Sequence, residues 1–309
     1  MVEILGHHHI SMLTKDAKLN KDFYTNILGL RMYLKTVNQD DPSMYHLFYG
    51  DEIGTPGTSL TFFEIKAMGH THKGTNAISK IGLLVPSEES LNYWKDRFEN
   101  SGVDYDPIGI YNDMMALQFR DHEGLEMVLI PNGERKVPQD WRYNRFSDVP
   151  KEHQIMGMGT IEFKIDQITE MKNFLENDLN FELVDSESEL VYTVDSSGLY
   201  SDILVKEELG DKEKPGKGSI HHLALSVADE EALNEVKELL DEKEAVHSGI
   251  VDREFFKSLY YRQSNILIEF ATVGPGVSYD DIEQLGSQLD LPSFLEPKRA
   301  EIEANLEEI

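Results

Sequence analysis

Two histidine pairs and one strand glutamate carry most of the chemistry that can be read from this chain. Residues 220–227 read Ile-His-His-Leu-Ala-Leu-Ser-Val, so His221 and His222 head an alternating apolar run that predicts a half-buried strand. Near the end of the same stretch Glu269 stands among Ile266, Leu267, Ile268 and Phe270. A lone carboxylate inside such a strand is costly to bury unless something positive binds it. The second histidine cluster is His7, His8 and His9, which opens a strand continuing Ile-Ser-Met-Leu. Side chains alternate along a strand, so His7, His9 and Ser11 are expected on one face and His8 and Ile10 on the other. The chain has no cysteine. That excludes disulfides, iron–sulfur clusters and thiolate zinc, and leaves metal chemistry to His, Asp and Glu.

The elements that must position these residues form a unit of one strand, one helix and three strands. Copy one places a strand over 4–13, a helix over 18–28 ended by Gly29, and strands over 31–37, 45–49 and 59–66. Copy two has a strand over 78–85, a helix over 87–102 with Ser87 as N-cap, and strands over 116–119 and 125–130. Copy three has strands over 157–165, 182–185, 190–194 and 201–206 and a helix over 169–178. In copy four the strand from 219 is followed by a helix over 229–245 and strands over 258–262 and 266–271. The polar segment 131–152 links copies two and three. Four copies of about seventy residues make a duplicated duplicate, with halves 1–145 and 146–309. The class is α+β, and each half is expected to have its own core.

The repeat allows positions to be compared within one sequence. Phe23–Leu30 (FYTNILGL) matches Phe174–Phe181 (FLENDLNF), an offset of 174 − 23 = 151. That sets Thr160 opposite His9 and Glu162 opposite Ser11. VPSEESL at 85–91 matches VADEEAL at 227–233, which sets Lys80 opposite His222; Val128 stands where copy four has Glu269. Copies two and three thus lack the candidate ligands. Pairing copy one with copy four in space gathers His9, His222 and Glu269 into one site. His70, His72 and His122 read as loop or turn residues, and His46, His153 and His247 have no supporting constellation.

The formal net charge of −28 argues against nucleic-acid or anionic-membrane partners. No apolar run approaches the roughly 20 residues of a membrane span, and the first residues do not form a signal peptide. A cytoplasmic protein is the simplest expectation, and a homo-oligomer is left open.

The βαβββ unit resembles the module of the vicinal-oxygen-chelate superfamily, which joins glyoxalases, bleomycin-resistance proteins and extradiol dioxygenases. KTVNQDDPSMYHLFYGDEIGTPGTSLTFF (35–63), IHHLALSV, DREFFKSLYYR (252–262), EFATVGPG (269–276) and LPSFLEPKRAEI (291–302) are similar to ring-cleaving dioxygenases that open hydroquinone-type diols. The resemblance implies that His9, His222 and Glu269 hold Fe(II), with Mn(II) as the alternative, and that a small aromatic diol and O₂ are the substrates. It implies active-site roles for His8, His221, Arg253 and Tyr260, and for Ser11 where relatives carry Thr. The turn 263–265 is one residue shorter than usual in such proteins, which leaves Tyr260 or Tyr261 as the active-site tyrosine. A glyoxalase-like isomerase is the alternative enzyme and would want a fourth ligand, for which Glu64 is the candidate. A metal-free binding protein of the antibiotic-sequestering type is the third reading.

Overall fold

The computed structural model describes residues 2–184, 189–279 and 281–309. The first module supplies β1 (His7–Thr14), β2 (Arg31–Val37), β3 (Tyr45–Gly50) and β4 (Ser59–Glu64). The second supplies β5 (Ala77–Val85), β6 (Asp104–Tyr105), β7 (Gly109–Tyr111), β8 (Met114–Arg120) and β9 (Glu126–Pro131). From the third come β10 (Gly157–Ile165), β11 (Glu182–Val184), β12 (Leu190–Thr193) and β13 (Ile203–Glu207). The fourth adds β14 (Ile220–Val227), β15 (His247–Asp252), β16 (Phe256–Gln263) and β17 (Ile266–Pro275). Two mixed sheets result. One runs β15-β16-β17-β14-β1-β4-β3-β2; the other runs β11-β12-β13-β10-β5-β9-β8-β6, with β7 paired to β8. Each sheet therefore joins two modules through one antiparallel seam, β1 with β14 and β10 with β5. The fold is α+β, built of βαβββ modules.

The sheets do not enclose separate cores. The largest cluster of buried apolar side chains takes Ile10, Met12, Leu223 and Phe270 from one sheet and Ile81, Leu83, Ile161 and Phe163 from the other. The expectation of one core per half is not met, because each sheet draws modules from both halves and residues of 1–145 and 146–309 share this cluster. Helix α4 (Glu230–Glu242) buries Leu233, Val236 and Leu240, and α2 (Glu88–Ser101) buries Leu91, Trp94 and Phe98. Ser87 does stand at the N-cap of α2, but its hydroxyl makes no capping bond. Among the described residues, no helix is long and apolar enough to cross a membrane.

Several elements differ from the sequence expectation. The helix expected over 18–28 is α1 (Ala17–Lys21) followed by a widened π turn over Asp22–Ile27, and that over 169–178 is α3 (Ile168–Asn173) followed by Phe174–Asp178 in the same form. In both copies a backbone N–H reaches back five residues, Leu28 to Phe23 and Leu179 to Phe174. The matched Gly29 and Asn180 then take positive φ, 70° and 56°. Strands β6, β7 and β15 were not expected; β6 and β7 are only two and three residues long, too short to alternate. Asp185 lies outside the described residues. The strict alternation expected along β1 is broken by register shifts at His7/His9 and Ser11/Met12, and all eight residues are buried. The acidic stretch 296–309, which reads in the sequence as a solvated face, is not one throughout. Asp290 N–H bonds the Lys35 carbonyl 2.8 Å away, and α5 (Arg299–Asn305) buries Ile302 against Val37 and Leu295, so the tail covers the exposed edge of β2.

Candidate metal centre and substrate chamber

The β1–β14 seam brings the two histidine pairs together. Register sets His9 across from Ala224 and Ser11 across from His222, while Glu269 on β17 lies beside Ala224. His9 Nε2 and His222 Nε2 are 3.3 Å apart; Glu269 Oε2 is 2.8 Å from His222 Nε2 and 3.3 Å from His9 Nε2. Among the described residues these three form the only group of side chains whose ligand atoms converge in this way, within 4.8 Å of one another. Glu64 does not join them. It ends β4 beside Thr14, and its carboxylate accepts from the Ala17 N–H at the start of α1.

The chain fixes the direction of each ligand. His8 Nδ1 lies 2.9 Å from His9 Nδ1, and His221 Nδ1 lies 2.8 Å from His222 Nδ1. A hydrogen bond at one ring nitrogen leaves the other, Nε2, to face the centre. Ser258 donates to Glu269 Oε1, but Glu269 Oε2 is buried without a hydrogen bond. Burial opposes ionisation of Glu269, yet His9 and His222 outweigh it and hold its carboxyl well below the usual range. Burial also lowers His8 and His221 to about 3, with the neighbouring imidazole adding to the effect, so both rings are neutral near pH 7. An unsatisfied buried carboxylate oxygen between two imidazoles is what a divalent ion would satisfy. Two imidazoles and one carboxylate form the donor set used by non-haem Fe(II).

Arg253 and Tyr260 border the centre. Tyr260 lies directly across from Glu269, and its ring is 5.8 Å from that of His222. Tyr261 turns to the other face, packs on Phe174 and donates to Gln263. The short turn is Ser264-Asn265, both with positive φ, which preserves the pairing of Tyr260 with Glu269. Arg253 Nε donates to Tyr260 Oη at 3.3 Å, and its guanidinium also meets Asp40 at 3.4 Å. Ser11 Oγ is 2.7 Å from Thr61 Oγ1. His7 is buried with neither ring nitrogen bonded.

His46 was set aside in the sequence and belongs in this wall. Its Nε2 is 3.0 Å from Thr61 Oγ1, and its ring lies between Phe48 and Phe63. The reason is internal symmetry. Thr61 lies beside Ser11 as Glu269 lies beside Ala224, and His46 pairs with Phe63 as Ser258 pairs with Ala271. His46 thus touches Thr61 as Ser258 touches Glu269. The second sheet has the same frame without ligands. Val128 pairs with Gly82, and Glu162 bonds Lys206, Ser79 and Tyr111. His70 and His72 stay exposed and pair with the segment around Lys214 and Lys217.

Two connected cavities open from the centre. The inner one, about 60 Å³, is bounded by His9, His46, Phe256 and Glu269; the outer one is about 600 Å³. They share Asn38, Asp40, Phe63, His222, Arg253 and Tyr260.

Comparison with known proteins agrees with this frame. The family model described as "Glyoxalase/Bleomycin resistance protein/Dioxygenase superfamily" matches residues 6–129. The chain is 41% identical over 320 aligned positions, covering all of both chains, to the Bacillus subtilis protein named "Putative ring-cleaving dioxygenase MhqA". It is 27% identical, over 96% of this chain and 94% of the relative, to the chlorohydroquinone/hydroquinone 1,2-dioxygenase of Sphingobium indicum. A crystal structure of a Bacillus subtilis "putative dioxygenase" superposes with a TM-score of 0.92 at 28% identity, covering 100% of this chain and 98% of that one. Glyoxalase I from Zea mays shares the fold alone, with a TM-score of 0.63 at 12% identity over 87% of this chain and 92% of its own. The chain belongs to the glyoxalase/bleomycin resistance protein/dioxygenase superfamily, in the company of the ring-cleaving dioxygenases it matches along its whole length.

Proposed function

We propose that the protein is an Fe(II)-dependent ring-cleaving dioxygenase acting on a hydroquinone-type diol. The observation that carries the reading is the buried, convergent set His9, His222 and Glu269, with Glu269 Oε2 unsatisfied between the imidazoles. The whole-length likeness to proteins named for ring cleavage supports it. The chain is read as two halves, 1–145 and 146–309, whose first and last modules build the site. Iron held by the three ligands would supply the electron path from diol to O₂ that makes an external reductant unnecessary. In the reaction one ring C–C bond breaks and both atoms of O₂ enter the product.

The remaining chemistry falls to the protein. A para-diol offers the metal one oxygen only, so its orientation rests on the groups lining the waist between the cavities. Arg253, held by Tyr260 and Asp40, places a fixed positive charge where a hydroxyl loses its proton. Burial and the Glu269 charge push the Tyr260 phenol up, so it stays protonated and donates a hydrogen bond to a substrate oxygen. His8 and His221 hold the ligand rings through Nδ1. Ser11, Thr61 and His46 form a polar chain along the inner cavity.

Oxygen uptake by anaerobically prepared, iron-loaded protein tests the reading. Hydroquinone should be consumed without added reductant and faster than catechol. His9→Ala, His222→Ala and Glu269→Ala should each lose stoichiometric iron while keeping the fold, and full iron occupancy in Glu269→Ala would sink the ligand assignment.

A further inference from the structure

The cavity beside the metal centre is far larger than a bare diol requires, and its walls indicate what else the substrate carries. A cavity of about 150 Å³ is enough to bind benzene. The inner cavity, about 60 Å³, admits oxygen-sized groups and no ring. An aromatic ring therefore lies across the waist, against Phe63, Arg253 and Tyr260, and the outer cavity of about 600 Å³ extends beyond it. That space is roughly four times what benzene needs.

The outer wall is built. The two crossovers between the sheets, one through His70–Thr75 and one through Lys212–Lys217, pair backbone to backbone. A Cβ on Gly74 would stand 2.3 Å from the Asp211 carbonyl oxygen, and one on Gly216 would stand 2.5 Å from the His70 carbonyl carbon. Such close approach fixes the strap, which brings Pro215 and Glu213 to the cavity. Leu13, Ile65, Ile78, Ile220 and Leu267 supply its apolar wall, with Asn76, Arg262 and Asn265 among its polar lining. Long apolar side chains facing a cavity continuous with the centre favour an apolar guest.

We propose that the substrate is a hydroquinone-type diol bearing an apolar substituent of several carbons, which occupies the outer cavity while one hydroxyl faces the metal centre. The proposal rests on the ring-cleavage reading and adds the substituent class to it. The cavity holds the substituent away from the reacting carbon, and binding energy that acts on ground and transition state alike lowers KM and leaves kcat unchanged.

Two measurements test it, chosen so that its failure and that of the ring-cleavage reading differ. With iron-loaded enzyme, kcat/KM across hydroquinone and its methyl, propyl and pentyl derivatives should rise about two- to fourfold per carbon, fourfold being the limit for a fully buried CH₂, and the rise should lie in KM. Ile65→Trp, just past the end of β4, and Leu267→Trp, on β17, which both fill the cavity, should shrink the pentyl-to-unsubstituted ratio. Calorimetric binding of 4-alkylphenols to the folded protein reads the cavity without turnover, and Kd should fall with chain length. A flat or falling series in both measurements overturns the proposal even if hydroquinone is opened. Alkylphenol binding that tightens with chain length, with no diol opened at all, supports the apolar guest and overturns the ring-cleavage reading instead.

Discussion

Ser258→Ala separates the positioning of a ligand from its identity. The Ser258 hydroxyl donates to Glu269 Oε1, and both residues are fully buried. That bond turns Oε2 toward His9 and His222. A hydrogen bond to a charged group is worth about 1.5–3 kcal/mol, which sets a ceiling of roughly 10- to 150-fold on the effect. The bond also orients the carboxylate before metal binds, so only part of its worth appears as affinity. Loss of a partner that orients a metal ligand costs about 10- to 100-fold. The Kd for Fe(II) should therefore rise about 10- to 100-fold. Anaerobic titration against a chelator of known affinity reads it, and a melting curve on the metal-free protein establishes that the variant is folded. An unchanged Kd in folded Ser258→Ala would mean that Glu269 is not held for a metal by this contact.

Arg253→Ala and Tyr260→Phe should each lower kcat by about 10²-fold or more with iron content unchanged, measured by oxygen uptake and metal analysis on the same samples. Gly74→Ala and Gly216→Ala force a Cβ against backbone atoms of the opposite crossover. Each should cost about 1–3 kcal/mol in denaturant titration. Burial raises the Asp202 carboxyl to about 7, and its Oδ1 has no hydrogen-bond partner. Its folded value exceeds the unfolded one, so the protein binds that proton more tightly when folded, and the stabilisation fades as pH rises from about 4 toward 7. Asp202→Asn should accordingly gain stability relative to wild type above pH 7 and lose that advantage near pH 4, as thermal melts across pH would record.

The convergence of His9, His222 and Glu269 could be read because His-His pairs occur in two of four repeats and a strand carboxylate in one of those two, and the repeat supplied its own control in Thr160, Lys80 and Val128. The βαβββ order was legible for the same reason. The π turns were not, since FYTNIL and FLENDL have ordinary helical composition and the widening shows only in the backbone. His46 was missed because its meaning depends on cross-strand pairing with Phe63 and on its contact with Thr61, fifteen residues away. The crossovers looked like polar loops because their partners are each other, more than a hundred residues apart in sequence. A shared core was likewise invisible, since periodicity tells which face of a strand is apolar and not which element covers it.

The proposed reaction inserts dioxygen into an aromatic ring at this centre. Iron-loaded protein supplied with hydroquinone under ¹⁸O₂, followed by trapping and mass spectrometry of the product, tests it most directly. A ring-opened product carrying both oxygen atoms of one O₂ should form without added reductant and be absent with Glu269→Ala. A product without label, or an enzyme that leaves every diol intact while isomerising a glutathione hemithioacetal, would contradict it.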